Sequence, residues 1–297
     1  MLVDYSDSNS DSGEPAKDDQ QNNRKRKAED GEPTRLKSKQ PPPLPTAFHS
    51  LYATNVRTSA SDDPILHAGR TRQVPHVVGN WPTHVYLEWY PSKTELATLD
   101  DVIQNTSQVF DTSSHSLADS LHSCLRSDPG ALLPLHISLS APLVLRTEQR
   151  ELFHQSLGQR LVRSHVKPFT VHITGLDWVA NHDETRYFLV LKLSRPENND
   201  LNKLLSLCNE TAQEFELAQL YNDESIKSRQ QMVDKTDAFH ISIAWTLQEP
   251  DKQARGRVID QEQDPLRALK VSFSLLKLKI GNTVADIPLA KGPKGLR

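Results

Sequence analysis

The sequence predicts an α+β fold: a two-lobed, pseudo-symmetric domain of antiparallel sheets flanked by helices. Three observations carry that expectation. Segments with period-2 alternation outnumber segments with helical spacing, so clean βαβ alternation is not followed. The order helix, strand, further strands occurs twice. Each occurrence contains a strand reading apolar-His-Ile-Ser-apolar, Leu135 to Leu139 and Phe239 to Ile243. The likeness between the halves is short, so the duplication rests on these strands and on element order.

Order is expected from residue 71 to residue 297, and residues 1–70 read as a disordered polar tail. The first 47 positions are mostly Ser, Asp, Asn, Lys, Glu and Pro, with Pro41-Pro42-Pro43 among them. Such a stretch buries too little apolar surface to offset the entropy of ordering it. Within it, Arg24-Lys25-Arg26-Lys27 is a compact basic run of the kind read by nuclear import, or simply a solvated charge cluster. Beyond the tail, Thr83 to Trp89 alternates as a strand. Ser92-Lys93-Thr94-Glu95 then has the form of a capping box ahead of Leu96, Leu99, Val102 and Ile103 at helical spacing. Leu132 to Ser140 reads as a strand, Thr147 to Val162 as a helix, and Thr170–Trp178 and Arg186–Leu193 as strands. From Asp200 to about Leu220 the positions Leu201, Leu204, Leu205, Cys208, Ala212 and Phe215 trace one helical face. Ala238–Thr246 is the next strand, followed by a polar loop and a strand pair near Val271–Ile280 and Ala285–Leu289.

Composition excludes several classes. The 35 basic and 38 acidic residues leave a net charge of −3, so a nucleic-acid partner cannot be inferred from bulk charge. Cys124 and Cys208 are the only cysteines and lie far apart, which suggests neither a disulfide framework nor a cysteine metal knuckle. No apolar run has transmembrane length and the first residues carry no signal-peptide core, so a soluble intracellular protein without membrane contact is expected. Walker A, GxGxxG and GxSxG patterns are all missing, which argues against their chemistries.

The repeated tripeptide carries the chemistry. His136 and His240 are 104 residues apart (240 − 136). Alternate side chains of a strand share a face. His136 and Ser138 therefore oppose Leu133, Leu135, Ile137 and Leu139, while His240 and Ser242 oppose Phe239, Ile241, Ile243 and Trp245. Two such strands side by side assemble two imidazoles and two hydroxyls. One neutral histidine can accept a proton from a nucleophile while a protonated one delivers a proton to the leaving oxygen. Histidine populates both forms near neutrality. The hydroxyls can donate to non-bridging phosphate oxygens as charge grows there. That set suits phosphodiester chemistry and calls for no metal and no cofactor. His172, in Val171-His172-Ile173-Thr174, is the decoy, since its setting lacks the match and it stands 36 residues past His136 (172 − 136). His182-Asp183 lacks supporting ligands for a metal site, and His76, His84 and His122 lack constellations, which leaves them to structure or surface.

Around these strands the sequence resembles the U6 small nuclear RNA 3′-end processing phosphodiesterases, within the two-histidine phosphoesterase superfamily. Gly79-Asn80-Trp81-Pro82-Thr83-His84-Val85-Tyr86 resembles that family's opening segment, and Leu135 to Ser140 and Phe239 to Trp245 its two catalytic strands. Asn181 with Thr185-Arg186, Lys279-Ile280-Gly281-Asn282 and Pro288-Leu289 match further segments in order, over residues 70–290. The resemblance implies two lobes about a central cleft with the tetrad at its bottom. It implies a nuclear 3′–5′ exonuclease, monomeric by default, that trims the oligouridine tail of U6 RNA. Attack of the penultimate ribose 2′-hydroxyl would leave a 2′,3′-cyclic phosphate, which some members then open. His136 and His240 are then the acid–base pair and Ser138 and Ser242 the phosphate ligands, while His182 takes the place of a base-contacting residue. The alternatives are an enzyme that acts on cyclic phosphates or 2′–5′ linkages of other RNA ends, or a non-catalytic RNA-binding protein. One departure stands out. Relatives can carry a base-stacking tyrosine shortly before the second strand, whereas Met232 to Asp237 holds none, and Tyr221 is the aromatic nearest to hand in another loop.

Overall fold

The computed structural model describes residues 77–111, 121–127, 129–222, 234–259 and 264–290. The expected tail, its basic run and His76 lie outside them. Strand β1 (Asn80–Trp89) alternates buried Thr83, Val85, Leu87 and Trp89 with half-buried His84, Tyr86 and Glu88, giving it one core face and one polar face. The capping box forms as read: Glu95 accepts from the Ser92 amide at 2.6 Å, and Ser92 Oγ accepts from the Glu95 amide at 3.4 Å. Two orphan amides are satisfied, and helix α1 (Lys93–Asp111) starts there.

The chain continues through β2 (His122–Ser123), β3 (Leu135–Ser138), β4 (Leu143–Arg146) and α2 (Gln149–Ser164). Then come β5 (Phe169–Ala180), β6 (Tyr187–Leu193) and α3 (Asp200–Glu214). A 3₁₀ turn (Thr236–Ala238) leads into β7 (His240–Thr246), followed by α4 (Lys252–Ile259), α5 (Asp264–Arg267), β8 (Lys270–Phe273), β9 (Leu275–Ile280) and β10 (Thr283–Pro288). All strand pairings are antiparallel. One sheet runs β10-β9-β1-β3, with β4 also paired to β1, and the other runs β2-β7-β6-β5-β8.

The expected mixture of helices and antiparallel sheets is therefore present, but the two lobes are not the two halves of the chain. The segment from residue 270 to 288 forms three strands rather than two. It crosses from one sheet to the other at Ser274, so β9 and β10 flank β1 from the far end of the sequence. The long helix closes at Glu214 instead of near Leu220, because Phe215 and Glu216 turn their amides back to the carbonyls of Ala212 and Gln213 and Glu216 adopts φ +58°. The stretch expected as a polar loop contains α4 and α5, which seat Val258 and Leu266 in the core.

Sheet one is pinned at both ends of β1. Near its C-terminal end, Ser140 Oγ accepts from the Val85 amide and donates to the Ala141 carbonyl, and the Leu139 amide donates to Val85 O. These bonds set β3 in the register Tyr86↔Ser138 and Glu88↔His136. At the other end Trp81 donates from Nε1 to Thr147, lies under the Arg150 guanidinium at 3.9 Å, and covers Gly281 in the β9–β10 turn. Gly281 has φ +58°, and a Cβ there would sit 2.8 Å from the Trp81 ring, so the turn requires glycine twice over.

Candidate active site

Val85, Leu87, Leu135, Ile137, Ile241 and Ile243 are fully buried on the core sides of β1, β3 and β7. Burying the isoleucine of each His-Ile-Ser sends the flanking histidine and serine to the opposite face. Strand β3 packs against β7, and the charge of His240 is felt at His136. The structure thus places His136 within electrostatic reach of His240, with Ser138 two residues along β3 and Ser242 two residues along β7.

The two histidines are held differently. His240 Nδ1 lies 2.8 Å from the Ala238 carbonyl, which can only accept, so Nδ1 carries a proton and Nε2 is the working atom. Ala238 ends the 3₁₀ turn, and that turn is tied down by Asp234, whose Oδ1 accepts from the Thr236 amide (2.9 Å) and hydroxyl (2.6 Å). Buried Asn202 on α3 donates to Asp234 and Asn199 and accepts from the Lys235 amide. His136 has no such backbone anchor among the described residues. Its ring meets Tyr86 edge-on at 5.6 Å and His84 edge-on at 5.4 Å, and its outer edge stays open to solvent. Protein surrounding the rest of the ring, then His240, then Lys279, lowers its pKa. The pKa of His240 is also lowered by burial, partly offset by the bond to Ala238.

The serines differ as well. Ser138 Oγ is 3.2 Å from His84 Nε2, while the Ser242 hydroxyl makes no hydrogen bond to a described residue. His84, left to structure or surface by sequence reasoning, is therefore a third imidazole of the site. It stacks on Tyr86 at 5.1 Å. Burial, then His136, then Lys279, lowers its pKa to about 3. A lone histidine whose partner is 54 residues away offers no spacing signal. The available sign was the alternation His84, Tyr86, Glu88 on the polar side of an otherwise apolar strand. Beside it, Glu88 and Asp286 hold Lys277 at 3.2 and 2.7 Å on the strand next to β1.

Other expectations divide. His172 is exposed on β5, opposite Lys270, and takes no part in the site. His182 is exposed at the tip of the β5–β6 hairpin, whose turn is clamped by the Asn181 side chain on Thr185 and Arg186. The partner of His240 on β6 is Lys192, five residues beyond Tyr187 (192 − 187). At about 3.3 Å per residue this sets the hairpin tip on the order of 16 Å from His240. Tyr221 packs edge-on against buried Phe239 at 5.9 Å, committing its ring to the core, and Tyr86 is the tyrosine beside the tetrad. Trp245 lies on the face opposite to the one that strict alternation predicts. A bulge at Ile243 pairs Ser242 with Val190 but Ala244 with Leu189, which reverses the alternation. Trp245 therefore joins the face of His240 and Ser242, where it stacks on His122 at 4.2 Å.

Two antiparallel sheets presenting matched His-x-Ser strands to one another define a two-histidine phosphoesterase. The chain belongs to the HVSL family ("uncharacterised conserved protein"), whose model matches residues 42–288. It is similar to U6 snRNA phosphodiesterase 1 of Neurospora crassa, 35% identical over 280 residues, covering 84% of this chain and 74% of that protein. The human protein of the same name is 27% identical over 254 residues, covering 83% of each chain. The fold is similar to that of Kluyveromyces marxianus Usb1 with uridine monophosphate (TM-score 0.53, 23% identity, 70% of this chain and 98% of that one). The same protein solved as Usb1 alone gives a TM-score of 0.52 at 24% identity, with the same coverage.

Proposed function

We propose that this protein is a 3′–5′ RNA exonuclease that shortens the oligouridine tail of U6 snRNA in the nucleus by metal-independent transesterification. The observation that carries the reading is the meeting of both His-Ile-Ser strands on two packed sheets, in a chain similar to proteins named for that activity. One histidine takes the proton of the penultimate ribose 2′-hydroxyl, whose oxygen attacks the adjacent phosphorus. The other protonates the departing 5′-oxygen of the terminal nucleoside. Ser138 and Ser242 donate to the non-bridging oxygens. The shortened RNA ends in a 2′,3′-cyclic phosphate, and water entering where the nucleoside left can open it with the proton roles reversed.

Depressed histidine pKa values suit this order of events. The free site resists carrying two positive charges, and an arriving phosphodiester anion draws a proton onto the pair. His182, away from the pair, is suited to contact RNA upstream of the reacting phosphate. All four groups come from one chain, so a monomer suffices. The basic run Arg24 to Lys27 supports a nuclear address.

The test is incubation of the purified chain with 3′-hydroxyl oligouridine-tailed RNA in EDTA. Stepwise shortening is expected, and it should vanish in His136→Ala and His240→Ala. A strict requirement for added divalent cation would overturn the mechanism. Reaction confined to a pre-formed cyclic phosphate would favour a ring-opening enzyme, and RNA binding without any cleavage a non-catalytic role.

A further inference from the structure

Each serine of the tetrad must point a proton at the phosphate, because a phosphate oxygen can only accept. A serine hydroxyl has one proton to give and lone pairs to receive. If Ser138 donated to His84, its proton would be spent and one phosphate oxygen would lose its donor. If His84 donates instead, the Ser138 oxygen is satisfied from behind and its O–H is left facing the substrate.

We infer that His84 is a positioning residue for the reaction: its Nε2–H donates to Ser138 Oγ, 3.2 Å away, and so directs the Ser138 hydroxyl at the phosphate. This rests on the phosphodiesterase reading above. The geometry supports it in three ways. His84 lies on the polar face of β1 diagonal to Ser138, whose direct partner is Tyr86. The ring is clamped between Tyr86, stacked at 5.1 Å and 22°, and the edge of His136, at 5.4 Å and 83°, so Nε2 has little freedom to swing. The Ser138 end of the strand is also fixed by Ser140, which locks β3 to the Val85 amide one residue from His84.

The groups around His84 keep it out of the proton traffic. Lys279 is its direct partner on β9, and His136 and Tyr86 flank it on the other sides. Burial, His136 and Lys279 all disfavour its protonation, so it stays neutral while the catalytic pair titrates. A neutral donor orients Ser138 without adding a positive charge beside His136. Ser242 has no counterpart to this histidine among the described residues, so the two phosphate ligands are unequal by construction.

Three variants separate the role from mere packing. His84→Phe keeps a ring between Tyr86 and His136 and removes the donor. His84→Gln restores an N–H near the position of Nε2, and His84→Asn places one only as far as Nδ1. On oligouridine-tailed RNA, His84→Phe should lower kcat at least tenfold with little change in KM, and His84→Gln should recover most of it. The double variant H84F/S138A should be no slower than S138A, since the two act as a unit. The limbs of the pH–rate profile should stay in place, as His84 transfers no proton. Thermal melts guard the comparison, and if His84→Phe does not fold, the Gln-against-Asn contrast decides it. Wild-type kcat in His84→Phe, equal rates in the Gln and Asn variants, multiplicative losses in the double variant, or a lost pH limb would each overturn the inference while leaving the function standing. Inactivity of the wild-type chain on this RNA would remove both.

Discussion

The two His-Ile-Ser strands are identical in their three residues, with the histidine and serine on the polar face and the isoleucine in the core, and different in nearly everything that touches them. On β7, His240 is steered from the backbone, through Ala238 and a turn that Asp234 and Asn202 hold in place, while Ser242 makes no hydrogen bond to a described residue. On β3, the histidine lacks a backbone anchor among the described residues and is instead walled by the rings of Tyr86 and His84, while the serine has a side-chain partner in His84. In one strand the histidine is held in place, in the other the serine has the side-chain partner. A repeated motif supplies the residue types, and the neighbouring elements decide which member is made rigid.

The largest effects should fall on the histidines, and they test whether the strands are equal in chemistry. His136→Ala and His240→Ala are each expected to cost about 10²–10⁴ in kcat. The double variant should be little worse than either, because the pair works in one step. Single-turnover cleavage measures this, and near-normal activity in either single variant would break the pairing.

Next come the serines. Ser138→Ala and Ser242→Ala each remove one donor to developing charge, for which losses up to about 10²–10³ are typical. Because Ser138 is pre-aimed and Ser242 is not, the loss at Ser138 should be the larger. The reverse ranking would mean that the free hydroxyl is the better ligand.

A smaller effect sharpens the contrast in how the histidines are held. Asn202→Ala removes a buried amide that joins α3 to the turn before His240, at an expected cost of about 1–3 kcal/mol. Nitrogen NMR should then show a mixed tautomer for His240 and an unchanged His136. A disturbance at both rings would show that the supports are not separate.

The smallest effects are electrostatic. Lys279 disfavours the protonated forms of His84 and His136, so Lys279→Met should raise both pKa values and leave His240 unmoved in an NMR titration. Stability follows the same logic. His84 titrates at about 3 in the folded chain against about 6.5 unfolded. Between those values the unfolded chain binds more protons, so this contribution is intact above about pH 6.5 and is lost as pH falls towards 3. His84→Phe should reduce the slope of unfolding free energy against pH in that window by up to about one proton, read from urea midpoints.

What could be read from the sequence follows the same division. The tetrad was legible because His136, Ser138, His240 and Ser242 sit in short alternating strands, and alternation alone fixes the face. The capping box at Ser92 and the amphipathic face of α3 were legible because their signals lie within one or two turns. His84 was not, since its meaning comes from β3, which reaches it only through sheet pairing. Trp245 was assigned to the wrong face because a bulge at Ile243 has no residue signature there. The crossover at Ser274 was missed because β8 and β9 are nearly continuous in sequence, and only their partners distinguish them.

The pairing of β1 with β9 has one more consequence. Thr83 and Ile280 face each other across 197 residues of chain (280 − 83), sealed by Trp81 over Gly281. Closure of so long a loop comes late and is slow. During synthesis β1 and both His-Ile-Ser strands exist well before β9 does, so the strand bearing His84 has no partner on that side, and Lys277 and Lys279 are absent from the polar face. Sheet one is completed only when the final hairpin closes on the first strand.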